Sequence, residues 1–365
     1  MTNEAAYWIT LAHIPRWGYV KTNSLVIKFF HDQNISISRF FELPESEWEN
    51  VYGLNEEDRA DLNAAKADLS NNAFLAEQLE NEGYELIPVT SSEYPKTLKE
   101  NLKVSHAPTL LYVKGNKQIL QEKSVAIVGS RDASELSLHF TDNIARKVSK
   151  DFKVIVSGFA KGVDKQALDS AIKYIGQSII VLPQGIMTFG SGFKTYYKQI
   201  VDGDVLVLST FHPRAPWKAE LAMARNSIIY GLAAEIYVAE SSDKGGTWSG
   251  VIDGLRKKRK IYVRQPEAGE TNANEQLIEK GAIAVDFEGN PLNVIVITPE
   301  QTAAYKKNVL DLLKRGTFTT KEIISKTELP WNESEVLEFL KSQREVEIIN
   351  KKPVRFTFKQ QTLFD

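Results

Sequence analysis

The distribution of apolar residues along the chain of 365 residues divides it into regions of different period. Residues 1–80 carry apolar side chains at helical spacing, which predicts a small helical domain. Between 81 and 298, short unbroken apolar runs alternate with helix-like segments, as expected for an α/β core. From 299 to 359 the pattern predicts three helices and then two strands. Residues 360–365 are predicted to form a flexible tail.

The central region predicts one large sheet. Its apolar runs are rich in β-branched residues and lack polar alternation, which indicates strands buried on both faces. Helix-like segments separate the runs, and parallel neighbours require such crossovers. The predicted strands are 85–89, 109–115, 124–128, 153–157, 178–182, 204–209, 235–239, 260–263 and, last, 294–296. The predicted fold class is therefore α/β, with a doubly wound, mostly parallel, Rossmann-like sheet.

Two successive strands of this sheet end in loops suited to an anion. The first loop contains Gly129, Ser130 and Arg131, and the second contains Ser157, Gly158, Lys161 and Gly162 ahead of a helix over 163–174. Glycines allow close backbone approach, a guanidinium matches phosphate geometry, and a helix N-terminus attracts anions through its amides and dipole. The spacing matches neither the dinucleotide-binding nor the P-loop pattern. The alternative is that these glycines only permit tight strand-to-helix turns.

Further candidate residues follow later strands. The carboxyl ends of parallel strands face one crevice, so loops 182–185, 209–213 and 240–247 should lie on the same edge as Arg131. In the last loop, Gly245, Gly246 and Thr247 precede a helix-like run over 248–256 and offer amides and a hydroxyl. Arg225 and Asn226 are predicted to stand ahead of another helix packed on the sheet. Taken alone, such an arginine is more commonly a surface ion-pair partner.

Composition narrows the classes of function. With 45 Lys and Arg against 47 Asp and Glu, the net charge is −2, so nucleic-acid binding would have to rest on local patches. The absence of Cys excludes disulfides, thiolate metal sites and Cys nucleophiles, and fits a reducing compartment. The five His have no metal-like spacing, so no metal is expected. No apolar run reaches membrane length, and the start lacks a basic leader pattern, which predicts a cytoplasmic protein away from membranes.

Two other segments have sequences that fit a contact with DNA and also fit a purely structural role. Residues 14–23 resemble one hairpin of a helix-hairpin-helix module, with a second thin turn at 51–54. The alternative is a helical packing domain that does not grip DNA. The basic run 256–260 either contacts DNA or stabilises the C-terminus of its own helix.

The order of elements predicted for 299–359 is that of a winged helix. In DNA-binding winged helices the third helix enters the major groove. Here that helix would carry Glu333, Glu335 and Glu338, which repel phosphate. We therefore expect a role in protein interaction or packing. The tail from Gln360 to Phe364 resembles peptides that dock on the bacterial sliding clamp, and the alternative is an apolar end folded back on the wing.

Together, these motifs resemble the DprA/Smf family of bacterial DNA-processing proteins over nearly the whole chain. The resemblance is carried by segments 94–98, 111–115, 125–131, 157–164 and 225–229. It implies sequence-independent binding of single-stranded DNA, a homodimer formed through the core, and loading of the RecA recombinase during natural transformation. It implies neither catalytic turnover nor a cofactor. The phosphate contacts it implies are Gly129, Ser130, Arg131, Ser157, Gly158, Lys161 and Gly162, supported by Arg225 and Asn226, with Asp164 orienting the loop.

The chain departs from the family pattern at this predicted DNA surface. Lys161 replaces an Arg, Leu168 a His, Ala222 a Phe and Ser227 a second Arg, and 244–247 replaces a Ser-Gly-Ser loop. These changes remove an aromatic ring for base stacking and one cation. Trp217 or Lys218 are the residues that could substitute for them.

Three functions follow from these observations. The first is a non-enzymatic single-stranded DNA binder that acts as a recombination mediator. The second is a sensor of a nucleotide-derived ligand, or a nucleotide hydrolase, that uses the same crevice with Glu240 as its only obvious acid. The third is an adaptor whose wing and tail recruit protein partners.

Overall fold

The computed structural model describes residues 4–292, 299–327, 329, 331, 333–351 and 353–359. The chain divides into two compact units, Met1–Leu292 and Asn293–Asp365. The domain boundaries expected from the sequence are finer than this division and stay predictions.

The described residues from Glu4 to Asn81 are mainly helical, as predicted for 1–80. The helices are α1 Ala5–Ala12, α2 Tyr19–Val26, α3 Ile37–Glu42, α4 Glu45–Asn50, α5 Glu56–Ala67 and α6 Leu69–Asn81, and a π-helical turn, Ile27–Asp32, continues α2. Their apolar faces meet in an aromatic cluster, in which the ring centroid of Phe40 lies 4.9 Å from that of Phe29 and 6.0 Å from that of Trp48. The side chain of Asn55 starts α5 by accepting a hydrogen bond from the Asp58 amide.

The segment 14–23 is used for packing within the molecule. The side-chain amide of Asn23 is buried and donates to the carbonyls of Val104 at 2.7 Å and Ala107 at 2.8 Å. Lys21 forms an ion pair with Asp58. Because both polar side chains are engaged inside the fold, the structure favours the packing interpretation of this segment over a DNA-gripping hairpin.

One nine-stranded sheet forms the centre of the first unit. Its strands are β1 Glu85–Pro88, β2 Leu110–Lys114, β3 Ser124–Val128, β4 Val154–Ser157, β5 Ser178–Val181, β6 Val205–Ser209, β7 Glu235–Val238, β8 Ile261–Arg264 and β9 Ile283–Val285. They lie in the order β1-β2-β6-β5-β4-β3-β7-β8-β9. From β6 to β9 in this order, every neighbouring pair of strands is parallel. At the other end of the sheet, β2 pairs antiparallel with both β6 and β1. The mostly parallel sheet is confirmed. After the strand ending at 263, the sequence analysis predicted only one more strand, at 294–296, and so it missed β9. Residues 294–296 themselves lie outside the described residues.

Helices cover both faces of the sheet. They are α7 Lys96–Leu102, α8 Glu135–Lys150, α9 Val163–Lys173, α10 Gly190–Thr195, α11 Tyr197–Asp202, α12 Ala219–Leu232, α13 Gly245–Arg256 and α14 Asn274–Glu279. Alternate residues of β3 enter separate buried clusters: Val125 and Ile127 pack with residues of α8 and α9, and Ala126 with residues of α12 and α13. This two-sided burial is why the strands carry unbroken apolar runs.

Two helix boundaries differ from those predicted. Arg225 and Asn226 were expected ahead of a helix, but they lie in the middle of α12, so that prediction was wrong. Helix α13 starts at Gly245 rather than near Trp248, so its first turn contains the two glycines. Glycine weakens a helix interior, which is why the sequence pattern placed the beginning of α13 too late.

The second unit has its own small core. It contains α15 Pro299–Leu313, α16 Thr320–Thr327, α17 Glu333–Ser342 and the antiparallel strands β10 Val346–Lys351 and β11 Val354–Phe358. Val309, Ile323, Leu340 and Phe356 are among the residues buried in it. Three helices followed by a strand pair is the predicted order, and its identification as a winged helix stays a prediction. The tail 360–365 lies outside the described residues. Across the described part of both units, we find no helix whose length and apolarity would let it cross a membrane.

Candidate nucleic-acid interface

Two adjoining pockets open at the carboxyl edge of the sheet. The first, of about 360 Å³, is lined among others by Gly129, Ser130, Arg131, Asp164, Trp217, Ala222, Arg225, Asn226, Lys244, Gly245, Gly246 and Thr247. The second, of about 310 Å³, includes Phe159, Lys161, Gln184 and Phe189 in its lining. Arg131, Ala160, Trp217, Ala222 and Arg225 line both pockets. The two spaces therefore form one groove with shared walls.

Close packing of the two glycine loops builds the floor of this groove. Gly162 has φ +82°, and a Cβ there would collide with the backbone carbonyl groups of Ser130 and Arg131. The amide of Val163 donates to the Ser130 carbonyl at 3.2 Å. A Cβ at Gly129 would lie 2.6 Å from Cγ2 of Val163. Gly129 and Gly162 are therefore needed for the two loops to pack against each other, in agreement with the interpretation that they permit tight turns. The same packing brings the two loops to one site.

A buried arginine lies beneath the two loops. The side chain of Arg225 is 5% exposed, and its Nη1 donates to the Val181 carbonyl at 3.1 Å and lies 3.7 Å from Oδ2 of Asp164. In the part of the chain that the structure describes, its Nε has no hydrogen-bond partner. Burial lowers the pKa of Arg225, and Asp164 opposes that shift. Burial raises the pKa of Asp164, and Arg225 opposes that shift. Arg225 is therefore a buried partner of Asp164 rather than a surface ion-pair residue.

Two cations stand at the mouth of the groove. Arg131 is exposed, and within the described ranges it forms no ion pair. Lys161 has a side chain 82% exposed and lies 3.2 Å from Asp132. An exposed pair of this kind is weak, so an incoming phosphate can compete for Lys161.

The N-terminus of α13 forms the opposite wall. Gly245 has φ +89° and open space where a Cβ would stand. A Cβ at Gly246 would lie 2.6 Å from Nδ2 of Asn226, and the Thr247 hydroxyl donates to the Gly129 carbonyl at 3.2 Å. The first amides of this twelve-residue helix have no partners within the helix, and its dipole favours an anion there.

Not every predicted contact residue lines the groove. Ser157 is fully buried, and its hydroxyl donates to the Ile127 carbonyl at 2.7 Å, so it ties β4 to β3. Gly158 and Gly162 line neither pocket. Lys218 is exposed directly before α12 and lines neither pocket. The aromatic rings of Phe159 and Phe189 were not selected by the sequence analysis as site residues, whereas Gln184 and Lys244 belong to loops 182–185 and 240–247, which it did place at this edge.

Glu240 serves the loops as a structural acceptor. Its carbonyl accepts from the Ser130 amide at 2.9 Å. Its carboxylate accepts from the Ser134 amide at 2.9 Å, the Ser134 hydroxyl at 2.7 Å and the Ser137 hydroxyl at 2.8 Å. A carboxylate held by three donors at the start of α8 is a poor general base for a ligand in the groove. This geometry disfavours the hydrolase alternative.

The basic run 256–260 lies at the other edge of the sheet, ahead of β8. Arg259 donates to the carbonyls of Tyr230 and Ala233, and Lys260 lies 2.9 Å from Glu235. Arg259 and Lys260 thus bind the C-terminal end of α12 and the first residue of β7, and Lys257 pairs with Asp253 of α13 at 2.7 Å. The run is engaged within the fold, which favours a structural role over a contact with DNA, but the helix that Arg259 caps is the neighbouring α12 and not its own helix α13.

An open, mostly parallel α/β sheet with helices on both faces and pockets beyond its strand ends defines a Rossmann-like α/β protein. Residues 85–293 match the family model of the DNA recombination-mediator protein A, and the chain belongs to that family. The resemblance carried by the sequence motifs is thereby confirmed.

Individual relatives agree with this assignment. The chain is similar to the DNA processing protein DprA of Streptococcus pneumoniae, with 31% identity over 192 residues, covering 52% of this chain and 66% of the relative. It is 26% identical to DprA of Bacillus subtilis over 211 residues, covering 56% of this chain and 69% of the relative. The alignments thus span about two thirds of these relatives' lengths. The X-ray structure of the Streptococcus pneumoniae protein shares the fold, with a TM-score of 0.63 at 23% identity, and covers 78% of this chain and 95% of that one.

Proposed function

We propose that this protein binds single-stranded DNA in the groove at the carboxyl edge of the sheet and acts, without catalytic turnover, as a recombination mediator. The observation that carries this proposal is the pair of adjoining pockets that share Arg131, Arg225 and Trp217. A groove with repeated anion sites and an aromatic wall suits successive nucleotides of one strand. Membership of the recombination-mediator family supports the same function.

The phosphates are bound by groups of different kinds. Arg131 and Lys161 contact them directly from the mouth of the groove. The amides of Gly245, Gly246 and Thr247 and the side chain of Asn226 receive a phosphate in the first pocket. Arg225, Asp164, Ser157, Gly158 and Gly162 position these loops, together with Gly129 and Ser130. Lys218 contacts the strand outside the pockets, beside Trp217.

Trp217 replaces the aromatic ring that Ala222 lacks. Trp217 is 52% exposed although it lines both pockets, which leaves ring surface for stacking on a base. Stacking requires an unpaired base and tolerates any base identity. This predicts preference for single strands over duplex and little dependence on sequence.

The partners in this proposal follow from the family. We propose that the protein loads the RecA recombinase onto bound DNA, works as a homodimer and uses the second unit as a winged helix for protein contacts. Docking of Gln360–Phe364 on the sliding clamp belongs to the same proposal.

The test is fluorescence anisotropy of a labelled oligo-dT strand and its duplex at low and moderate salt. We expect preferential binding of the single strand and a steep loss of affinity with salt. Arg131→Ala and Lys161→Ala should each weaken binding about tenfold, because a hydrogen bond to a charged group contributes ~1.5 kcal/mol or more. Trp217→Ala should weaken the single-strand complex by a similar factor. Arg146→Ala, an exposed arginine of α8 outside both pockets, is the matched control.

Other outcomes assign the groove differently. Equal affinity for strand and duplex would contradict the stacking role of Trp217. Absence of oligonucleotide binding at low salt, together with tight binding of a mononucleotide that Arg131→Ala abolishes, would favour the ligand-sensor alternative. The volume of the first pocket is within the range of small-ligand sites, so that arm of the experiment is worth including.

A further inference from the structure

The outer edge of the sheet borders a pocket that is separate from the candidate DNA groove. Among the described strands, β1 stands at the end of the sheet and pairs on one side, with β2. A pocket of about 390 Å³ lies along β1, and helices α1 and α6 supply its other walls. Its lining shares no residue with the two pockets of the groove. We call this space the β1 pocket.

The register of β1 shows which backbone groups face away from the sheet. In an antiparallel pair, successive residues turn their N–H and C=O groups alternately toward the partner strand and away from it. The amide of Val89 donates to the Thr109 carbonyl at 2.9 Å across the pair, and Leu86 lies opposite Tyr112 in the same register. Because Leu86 is three residues before Val89, its amide and carbonyl point away from β2, toward the outer edge.

Leu86 carries an unpaired backbone donor and acceptor at this edge. The outward groups on either side of it have partners: the Tyr84 amide donates to the Leu79 carbonyl at 2.8 Å, and the Pro88 carbonyl accepts from the Ser91 amide at 2.9 Å. Within the described residues, neither the amide nor the carbonyl of Leu86 has such a partner. Leu86 is half-buried and lines the pocket. Half-buried, unpaired groups on a strand edge are a template for a residue of an added strand.

The charges of the walls restrict what can be added. Four carboxylates line the pocket, those of Glu4, Glu77, Glu80 and Glu85, and its described lining contains no Lys, Arg or His. Glu85 is paired with Lys117 at 2.7 Å. Glu77 and Glu80 are exposed on α6 and form no ion pair within the described ranges. These carboxylates repel nucleic acid and acidic segments and attract a cation.

The pocket also offers apolar surface to a long side chain. Trp8, which is 5% exposed, lines it together with four alanines and Pro88. Lys and Arg lay their alkyl stems along apolar surface while the charged head stays with a carboxylate or with water. An aromatic ring also attracts a cation. Long basic side chains therefore suit this pocket better than short polar or purely apolar ones.

We propose that the β1 pocket binds an extended, basic segment of a partner protein by strand addition. One residue of the segment pairs through its backbone with Leu86, in the way that peptides extend exposed sheet edges. Alternate side chains of an extended segment point to the same side, so Lys or Arg at every second position can meet Glu77 and Glu80. The proposal does not depend on the proposed DNA binding, because the β1 pocket and the groove share no residue.

The first experiment varies the peptide. The probe is a labelled hexapeptide that alternates lysine and valine, titrated with the full chain and followed by fluorescence anisotropy. A hexapeptide alternating glutamate and valine should bind at least tenfold more weakly, because its charges repel the walls. The lysine peptide N-methylated at its backbone amides keeps its charges but cannot donate to the Leu86 carbonyl. Its affinity should fall about tenfold.

The second experiment varies the protein. Glu77→Gln and Glu80→Gln should each weaken binding of the lysine peptide about threefold, and together about tenfold, as expected for exposed ion pairs. Both side chains are exposed, so thermal unfolding should stay at the wild-type temperature. Glu100→Gln, at an exposed position of α7 outside the pocket, is the matched control and should bind as the wild type does.

Three results would overturn the proposal. Equal affinity of the N-methylated and unmodified lysine peptides would exclude strand addition. Equal affinity of the lysine and glutamate peptides, or unchanged binding by the double glutamine variant, would exclude the carboxylate contacts. Absence of lysine-peptide binding to the wild type up to about 1 mM protein would exclude the site itself. Oligo-dT affinity should stay unchanged in the glutamine variants, which separates this outcome from any failure of the groove.

Discussion

Gly158 illustrates how a single residue position supports the candidate site without touching a ligand. An ideal Cβ at this position would overlap the guanidinium of Arg225 and the carboxylate of Asp164. Both partners are buried, so neither can turn toward water to make room. The glycine is required because the buried ion pair passes directly over the backbone where β4 ends.

We predict that Gly158→Ala lowers the free energy of unfolding by about 3 kcal/mol, the cost typical of breaking a buried ion pair. The affinity of this variant for oligo-dT should also fall, because the displaced Arg225 lines both pockets. Denaturant titration of the purified variant measures the first effect. Gly190→Ala is the control, since no atom lies within 4 Å of a Cβ there. A change below about 0.5 kcal/mol for Gly158→Ala, the range of ordinary surface substitutions, would show that the ion pair can move aside.

At the scale of elements, the N-terminal helices are attached to the sheet through a hydrogen bond between His13, just after α1, and β2. Nε2 of His13 lies 2.8 Å from the phenol oxygen of Tyr112, which is fully buried. Burial, reinforced by the neighbouring His212, lowers the pKa of His13 to about 3. The two histidine rings lie 5.3 Å apart. The folded protein therefore holds His13 neutral at any ordinary pH.

This contact predicts a loss of stability in mild acid. The unfolded chain binds a proton at His13 near the ordinary histidine pKa of 6.5, whereas the folded chain does not until about pH 3. The stability that the folded protein has with His13 neutral is fully present above pH 6.5 and is lost progressively as the pH falls toward 3. Between about pH 6.5 and about pH 5 it amounts to at most ~2 kcal/mol of the free energy of unfolding.

His13→Gln keeps a hydrogen-bonding group for Tyr112 but cannot titrate, so its stability should depend less steeply on pH. The measurement is urea unfolding of both proteins at several pH values. His31→Gln, at an exposed position, should follow the wild type. Parallel curves for His13→Gln and wild type would contradict the assignment to His13. His212 is present in both proteins and leaves its own contribution unchanged.

At the scale of the whole molecule, the two compact units divide the proposed tasks. Every residue that lines the two pockets belongs to the unit Met1–Leu292. The unit Asn293–Asp365 has a separate core around Val309 and Phe356. DNA binding and the recruitment of partners can therefore be tested separately.

We predict that a chain shortened to residues 1–298 binds oligo-dT with an affinity within about threefold of the full chain, because it retains every proposed phosphate contact. Anisotropy under the conditions used for the full chain provides the comparison. Circular dichroism and thermal unfolding confirm that the shortened chain is folded. A drop of more than about tenfold in a folded chain, or ~1.4 kcal/mol, would place part of the DNA surface in the second unit.

Local patterns were sufficient to predict the sheet and its chemistry in outline. Unbroken apolar runs such as 124–128 identify strands buried on both faces, and crossover segments require them to be parallel. Gly129, Arg131 and Lys161 were recognisable because each stands directly after such a strand or in the loop that follows it. By contrast, the start of α13 and the existence of β9 were missed, because the glycines Gly245 and Gly246 and the short strand Ile283–Val285 give weak local signals.

The sequence by itself therefore determined the class of fold, the family and the edge of the sheet that carries the candidate site, since these depend on residues close together along the chain. Only the tertiary structure decided which candidates line the groove. It placed Ser157 in a hydrogen bond to β3, Arg225 in a buried ion pair and Trp217 on the wall of both pockets. Burial and direction of a side chain depend on neighbours distant in sequence, and those neighbours exist only once the chain has folded.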